Sequence, residues 1–209
     1  MTCPLCLHKD STFFHKDQFR SYYRCPNCSL VFVPAEYHLP PEDEKKRYDT
    51  HENDPTDHEY RAFLNRLLEP LKSHLTKGER GLDFGSGPGP TLSLMLSEVG
   101  YPTENYDPFY ANDKKLLNAT YDFLTCTETI EHLSNPKKEW ELFLTLVKKN
   151  GWIGVMTEMR NDENNFAEWY YKKDPTHIRF YNKKTFEWLA KRYGLIVEFV
   201  QGSVILFQI

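Results

Sequence analysis

No run of apolar residues in this 209-residue chain approaches the ~20 needed to cross a bilayer, and its start carries no signal-peptide core. A soluble, cytoplasmic protein without a membrane partner is expected. Internal repeats and low-complexity tracts are absent too. Nor is there an excess of positive charge: 26 Lys and Arg against 30 Asp and Glu leave a net charge of −4. That argues against a nucleic-acid binder relying on a broad cationic surface, though it leaves room for a local basic patch. What is present is a 40% hydrophobic and 15% aromatic composition, enough for a packed core. The length fits one medium domain with an appendage.

Cysteine is scarce beyond the start. Four of the five lie in the first 28 residues, as Cys3-Pro-Leu-Cys6 and Cys25-Pro-Asn-Cys28, with 18 residues between the pairs. Each Cys-x-x-Cys can grip a metal from a tight knuckle, and four thiolates complete a tetrahedron around zinc. Disulfides suit exported chains, and a redox motif needs one pair, not two. Four sulfurs close the site, so the expected zinc is structural. Zinc ribbons often carry glycine just after each knuckle. Leu7 and Ser29 stand there, so different knuckle turns are expected. Cys126 sits in an apolar run and reads as core.

Three segments follow from the pattern. Residues 1–40 form the ribbon-like segment, with strands at "SYYRC" and "LVFV". Residues 41–78 form an acidic linker and helical cap, the helix beginning after Asp57 as N-cap and ending or kinking at Pro70. Residues 79–209 alternate strand and helix, which predicts an α/β fold: a mostly parallel sheet covered on both faces. Within it "KKEWELFLTLVKKNG" reads as a helix closed by Gly151. The chain then ends in two strands joined at Gln201-Gly202, necessarily an antiparallel hairpin.

The stretch "LDFGSGPGP", residues 82–90, ends the first strand of that domain. Ligands sit beyond the carboxyl ends of strands in such sheets. A phosphate-binding P-loop is excluded, because no Gly-Lys-Ser/Thr follows and Pro88 has no N–H to offer. The glycine spacing is G-x-G-x-G, not the dinucleotide G-x-G-x-x-G. Without side chains at Gly85, Gly87 and Gly89 the backbone can approach a ligand closely. Asp107, 18 residues beyond Gly89 at the end of the next strand, is placed to accept hydrogen bonds from ribose hydroxyls.

This set resembles the class I S-adenosylmethionine-dependent methyltransferases, over residues 79–209. "LDFGSGPG" is similar to their first motif, "YDP" to their ribose-binding acid, "YDFLTCTETIEHL" to their fourth-strand motif, and the reversed final hairpin to their antiparallel last strand. The resemblance implies a Rossmann-like sheet and S-adenosylmethionine as cofactor. It implies that Gly85, Ser86, Gly87 and Gly89 line the cofactor, that Asp83 orients the loop, that Asp107 binds ribose and that Glu128 borders the donor site. One feature departs from the family. Only 13 residues, 108–120, separate Asp107 from Tyr121, too few for the usual strand and two helices. One edge strand-helix unit is therefore expected to be missing, and with it the residues that usually hold adenine. Phe109 or Tyr110 could cover the base instead, or be ordinary core aromatics.

Acceptor chemistry is harder to read. Glu128, Glu131 and His132 fall at i, i+3 and i+4 if a helix begins there, a set suited to a divalent metal. The same Glu-x-x-Glu-His resembles ubiquinone-pathway O-methyltransferases. The alternative is acids favouring a helix N-terminus, with His132 contacting cofactor or acceptor. The aromatic stretch 166–181 could roof an acceptor pocket. Within it His177 is the candidate general base or a helix-capping histidine, and Arg179 an anion ligand or a surface pair.

The expected activity is methyl transfer to a small-molecule acceptor, at O, C or N. Sugar C-methyltransferases carry an N-terminal four-ligand zinc segment. Certain ribosomal RNA methyltransferases carry an N-terminal zinc finger, so RNA docking through the ribbon is the alternative. A non-enzymatic cofactor-sensing module is another.

Overall fold

The computed structural model describes residues 1–50, 53–160, 166–200 and 202–209. Strand β1 (Thr12–Lys16), β2 (Ser21–Arg24) and β3 (Val31–Phe32) build the amino-terminal ribbon. Helix α1 (Pro41–Tyr48) follows Pro40, and Pro41 at its first turn needs no donor there. All eight of its residues are polar or partly exposed, so its place is set by contacts rather than by a buried stripe. Helix α2 (His58–Lys72) starts where expected: the Asp57 carboxylate accepts from the Glu59 and Tyr60 amides. It differs at the other end. Pro70 lies inside the helix, which runs two residues further to Lys72. The missing Pro70 N–H removes a single i→i−4 bond, so the helix closes within a turn of the proline rather than at it.

The main sheet has the order β5-β4-β6-β7-β10-β9. Its parallel members are β4 (Gly81–Phe84), β5 (Thr103–Tyr106), β6 (Tyr121–Thr127) and β7 (Val147–Met156). β10 (Val204–Gln208) runs against both β7 and β9 (Ile196–Phe199), the expected closing hairpin. Its second-strand entry at Gln201 lies outside the described residues. Both sheet faces are buried, so strands show large apolar residues on each side. Ile205 and Phe207 face the cluster holding Trp140 and Phe143, while Val204 and Leu206 face Leu64, Leu67 and Leu71. Helices α3 (Thr91–Glu98) and α2 cover the second face; α4 (Pro136–Leu146) and α5 (Lys183–Tyr193) cover the first. Cys126 is wholly buried there, as read.

The missing unit is real. β5 is the sheet edge, and between it and β6 there is only an Asp107–Ala111 bridge and a 3-10 turn at Lys114–Asn118. Two expectations change. α4 ends at Leu146, not at Gly151, and Val147–Asn150 belong to β7, with Asn150 taking the left-handed turn at φ 64°. "ETIEHL" forms no α-helix, only a 3-10 turn at Ile130–His132.

A second sheet has the order β1-β2-β3-β8, and its fourth strand, β8 (Arg179–Phe180), comes from far along the chain. Val31 pairs with Phe180 and Phe32 with Arg179. Phe166, Trp169 and Phe180 pack with Tyr22, Val31 and Val33 between ribbon and main sheet. Thus much of the aromatic stretch builds this joint rather than a pocket roof.

Candidate active site

A cleft of about 1140 Å³ opens at the carboxyl ends of β4, β5 and β6. Its donor half is the loop after β4. Gly85 and Gly87 adopt φ of 79° and 66°, conformations that favour glycine. A Cβ on Gly85 would lie 2.3 Å from the Thr129 side chain, and one on Gly89 2.0 Å from the Asn53 carbonyl. The loop is pinned from the edge strand. Gly85 N–H donates to the Tyr106 carbonyl at 2.7 Å, and Gly87 N–H to Asp107 Oδ2 at 3.0 Å. Asp107 Oδ1 accepts from the Phe109 and Tyr110 amides at 2.8 and 3.1 Å. Ser86 Oγ is buried and has no hydrogen-bond partner among the described residues. Beneath the loop, Asp83 accepts from Thr125 Oγ1 at 2.6 Å. Burial, then the nearby Asp107 charge, pushes its carboxyl up to about 6. A side-chain-free cradle, an orphaned hydroxyl and two carboxylates fit a cationic nucleoside-bearing ligand.

The acceptor half is built from the turn after β6 and the segment 170–178. Glu128 departs from β6 at φ 46°, outside any helix, so the helical register read for Glu128, Glu131 and His132 does not form. Tyr171 is what joins the two acids. Its hydroxyl donates to Glu131 Oε1 at 2.5 Å and lies 3.3 Å from Glu128 Oε2. Thr157 Oγ1 donates to Glu131 Oε2 at 3.0 Å. Burial, then the Glu131 charge, pushes Glu128 up to about 9. His132 Nδ1–H donates to the Thr176 carbonyl at 3.1 Å, and His177 Nδ1–H to the Tyr171 carbonyl at 2.7 Å. Each carbonyl fixes the tautomer and leaves Nε2 with its lone pair. Burial pushes His132 down to about 4, so it is neutral at working pH. The two rings lie 4.7 Å apart. Glu131, His132 and His177 each bring a ligand atom within 4.8 Å of the others. The set that could hold a cation is therefore this one, in which His177 stands in place of Glu128.

Helix α1, a helix the sequence did not mark within the expected cap, closes the cleft. Tyr48 packs edge-on against both Phe109 on the donor side and His132 on the acceptor side. Arg47 donates through Nε and Nη2 to Asp174 Oδ2 at 3.0 and 2.7 Å. Tyr110 donates to Asp49 at 2.6 Å. Phe109 and Tyr110 thus line the cleft half-buried. Arg179 is neither an anion ligand nor a surface pair. It is 2% exposed and donates to the carbonyls of Val33, Ser134 and Ile178.

In the ribbon, Cys3, Cys6, Cys25 and Cys28 bring their sulfurs within 4.8 Å of one another. The closest pairs, Cys3–Cys28 and Cys6–Cys25, are 3.6 and 3.3 Å apart. Tetrahedral zinc–thiolate geometry needs roughly 3.8 Å. Burial pushes the Cys25 thiol up to about 11, so four thiolates here call for a cation. The expected departure from glycine-type knuckle turns does not occur, since both turns take the left-handed backbone that glycine favours. Leu7 and Ser29 both take φ 61°, and their amides donate to the Cys3 and Cys25 carbonyls at 3.0 and 2.9 Å. The turns that glycine usually makes are made here by other residues. The arrangement is a four-cysteine structural zinc site.

Fold, glycine loop and strand-end acid together define a class I methyltransferase architecture. A family model described as a methyltransferase domain matches residues 50–198. The chain belongs to that family, and is an S-adenosylmethionine-dependent methyltransferase with the corresponding fold. Among curated proteins, a ubiquinone biosynthesis O-methyltransferase of Paraburkholderia phymatum is 29% identical over 163 residues, covering 62% of this chain and 69% of that one. One of Colwellia psychrerythraea is 36% identical over 97 residues, 46% of this chain and 37% of the relative. The chain thus spans between about a third and two thirds of these relatives. A methyltransferase structure from Archaeoglobus fulgidus superposes with TM-score 0.55 at 16% identity, covering 71% of this chain and 94% of that one. Phosphoethanolamine N-methyltransferase 2 of Haemonchus contortus, solved with S-adenosylmethionine, gives 0.52 at 17%, covering 66% and 37%. Among the described residues no helix is long and apolar enough to cross a membrane.

Proposed function

We propose that the protein transfers the methyl group of S-adenosylmethionine to a hydroxyl of a small-molecule acceptor. The observation that carries this reading is one cleft bordered by the glycine loop at one end and by two imidazoles with free Nε2 atoms at the other. Its volume suits a nucleoside cofactor plus a small acceptor. The name borne by both curated relatives, an O-methyltransferase of ubiquinone biosynthesis, favours oxygen as the methylated atom. The cofactor supplies an electrophilic methyl on sulfur, whose departure leaves the bonding pair on the thioether.

The chain's own residues do the rest. The glycine loop and Asp107 orient the donor, with Asp83 supplying negative charge beneath it. Tyr48 separates the two halves and shapes the acceptor end. His177 Nε2 takes the hydroxyl proton as the C–O bond forms, its Nδ1–H held by the Tyr171 carbonyl. His132, kept neutral, packs its ring 4.7 Å from His177 and adds no positive charge beside that base. A second reading rests on the Glu131, His132 and His177 cluster. These residues would hold a divalent cation that lowers the acceptor hydroxyl's pKa.

The test is transfer of labelled methyl from S-adenosylmethionine to catechol-type phenols and to a small-metabolite fraction, with RNA as the comparison. Label on phenolic oxygen is expected. His177→Ala should lower kcat by roughly 10²–10⁴-fold with little change in cofactor affinity. Label confined to RNA would sink the small-molecule reading. Activity abolished by chelator and restored by magnesium would select the metal-assisted form.

A further inference from the structure

The ribbon reaches the acceptor wall through one buried side chain. Arg20, at the turn between β1 and β2, is 6% exposed. Its guanidinium donates to three backbone carbonyls of a single distant segment: Lys172 at 2.7 Å, Asp174 at 3.0 Å and Pro175 at 3.0 Å. Its Nε donates to Tyr22 Oη at 2.9 Å. Tyr22 in turn donates to Asp17 Oδ2 at 2.8 Å, and the same oxygen receives the Lys172 ammonium at 3.0 Å. Asp17 Oδ1 accepts from the Phe19 and Arg20 amides. Burial works against the Asp17 charge, but these donors more than offset it and hold the carboxyl well below its usual range.

The segment so held is the one that fixes both imidazoles. The Tyr171 carbonyl sets His177 and the Thr176 carbonyl sets His132. Arg20 therefore grips the carbonyls that lie between the two orienting the candidate bases. β8 continues the coupling, because Val33 N–H donates to the Ile178 carbonyl at 3.0 Å one residue beyond His177. An arginine fork satisfies three carbonyls at fixed spacing in a segment whose only regular structure before β8 is the 3-10 turn Tyr170–Lys173. The glycine loop is pinned separately, from the end of β5, by the Tyr106 carbonyl and Asp107 Oδ2.

We infer that Arg20 is a positioning residue for the acceptor site, and that the ribbon is a working part of that site rather than a tethered docking module. This rests on segment 170–178 being the acceptor wall. A ribbon reading of this kind predicts separable effects: disturbing Arg20 loosens the imidazoles and spares cofactor binding.

The experiment uses the full chain with zinc bound. Amide hydrogen exchange of residues 170–178, ring ¹⁵N shifts of His132 and His177, and S-adenosylhomocysteine affinity are compared for wild type, Arg20→Met and Arg20→Lys. Arg20→Met should speed exchange in 170–178 by about tenfold or more. It should move both Nδ1 resonances away from their hydrogen-bonded positions. Affinity for S-adenosylhomocysteine and exchange in β4 and β6 should stay within twofold. Arg20→Lys should restore part of the protection. Unchanged loop exchange and imidazole shifts in folded Arg20→Met, or a parallel loss of cofactor affinity, would overturn the inference. If Arg20→Met does not fold, Asp17→Asn keeps the fork and removes the charge shared by Tyr22 and Lys172. It should give the same pattern at smaller amplitude, and an unaltered loop would again overturn it. A wild type that fails to bind S-adenosylhomocysteine would sink the methyl-transfer reading, while the exchange comparison would still decide the role of Arg20.

Discussion

Leu7 and Ser29 hold backbone angles that cost an L-residue about 1 kcal/mol or more, and the ribbon tolerates both because each turn is closed by an amide onto a cysteine carbonyl. Leu7 is 54% exposed, so trimming it loses little packing. Leu7→Gly is therefore expected to stabilise the ribbon by roughly 0.5–1 kcal/mol, seen as a higher Tm with zinc content unchanged. Asp83 gives a pH prediction. Its folded pKa is raised from 3.8 to about 6, so between those values the native chain binds a proton that the unfolded chain has released. The folded state thus gains relative stability as pH falls through that window. Cofactor binding has the opposite sign, since a cationic ligand favours the ionised carboxylate. Affinity should be flat above about 6 and fall below it, and Asp83→Asn should remove the dependence in a calorimetric titration. The donor residues were legible from sequence because glycine types and a strand-end acid carry their own geometric signature. Glu128 was not: its spacing to Glu131 matched a helix, but the backbone leaves β6 through a left-handed turn, which residue spacing cannot reveal.

At the level of elements, α1 is the informative case. It buries no residue of its own, yet it lies over the cleft and is held by Arg47–Asp174 on the acceptor side and Asp49–Tyr110 on the donor side. Asp174 is 13% exposed at its side chain, and Arg47 40%. Such a half-exposed pair contributes on the order of 1 kcal/mol to closing α1 and little to global stability. Arg47→Ala should leave Tm within 2–3 °C and raise KM for the acceptor several-fold more than KM for the cofactor. Equal rises in both would place the pair outside acceptor binding. From sequence this region read as an acidic linker leading into a helical cap, but α1 itself was not placed, because no apolar periodicity marks a helix held by side-chain contacts. β8 was illegible for a related reason. Two residues pairing with a strand some 150 positions earlier leave no local pattern. The alternating core of β4, β6, β7 and β10, by contrast, was readable from apolar runs bounded by glycine.

Across the whole molecule, two sheets share one chain in an order that no cut separates: ribbon, cap, main sheet, back to the ribbon through β8, then α5 and the closing hairpin. Asn182 caps α5 and donates to the Ser29 carbonyl in the second knuckle at 2.8 Å. Loss of zinc should consequently reach beyond the ribbon. Cys25→Ser is expected to abolish a zinc content of about one per chain. It should also speed amide exchange at the start of α5 and in 170–178, with the β4–β6 core last to open. A change confined to residues 1–34 would refute this joint. The truncated sheet edge has a different consequence. In a fold whose outer strand and helix are absent beyond β5, the chain has little backbone to clasp the far rim of a purine. Recognition then rests on sugar and amino acid, and a site without hydrogen bonds to a group discriminates weakly against its replacement. Purine-altered donors are therefore expected to bind within a few-fold of S-adenosylmethionine in a competitive titration, and a loss of about tenfold or more would show that the base is held after all.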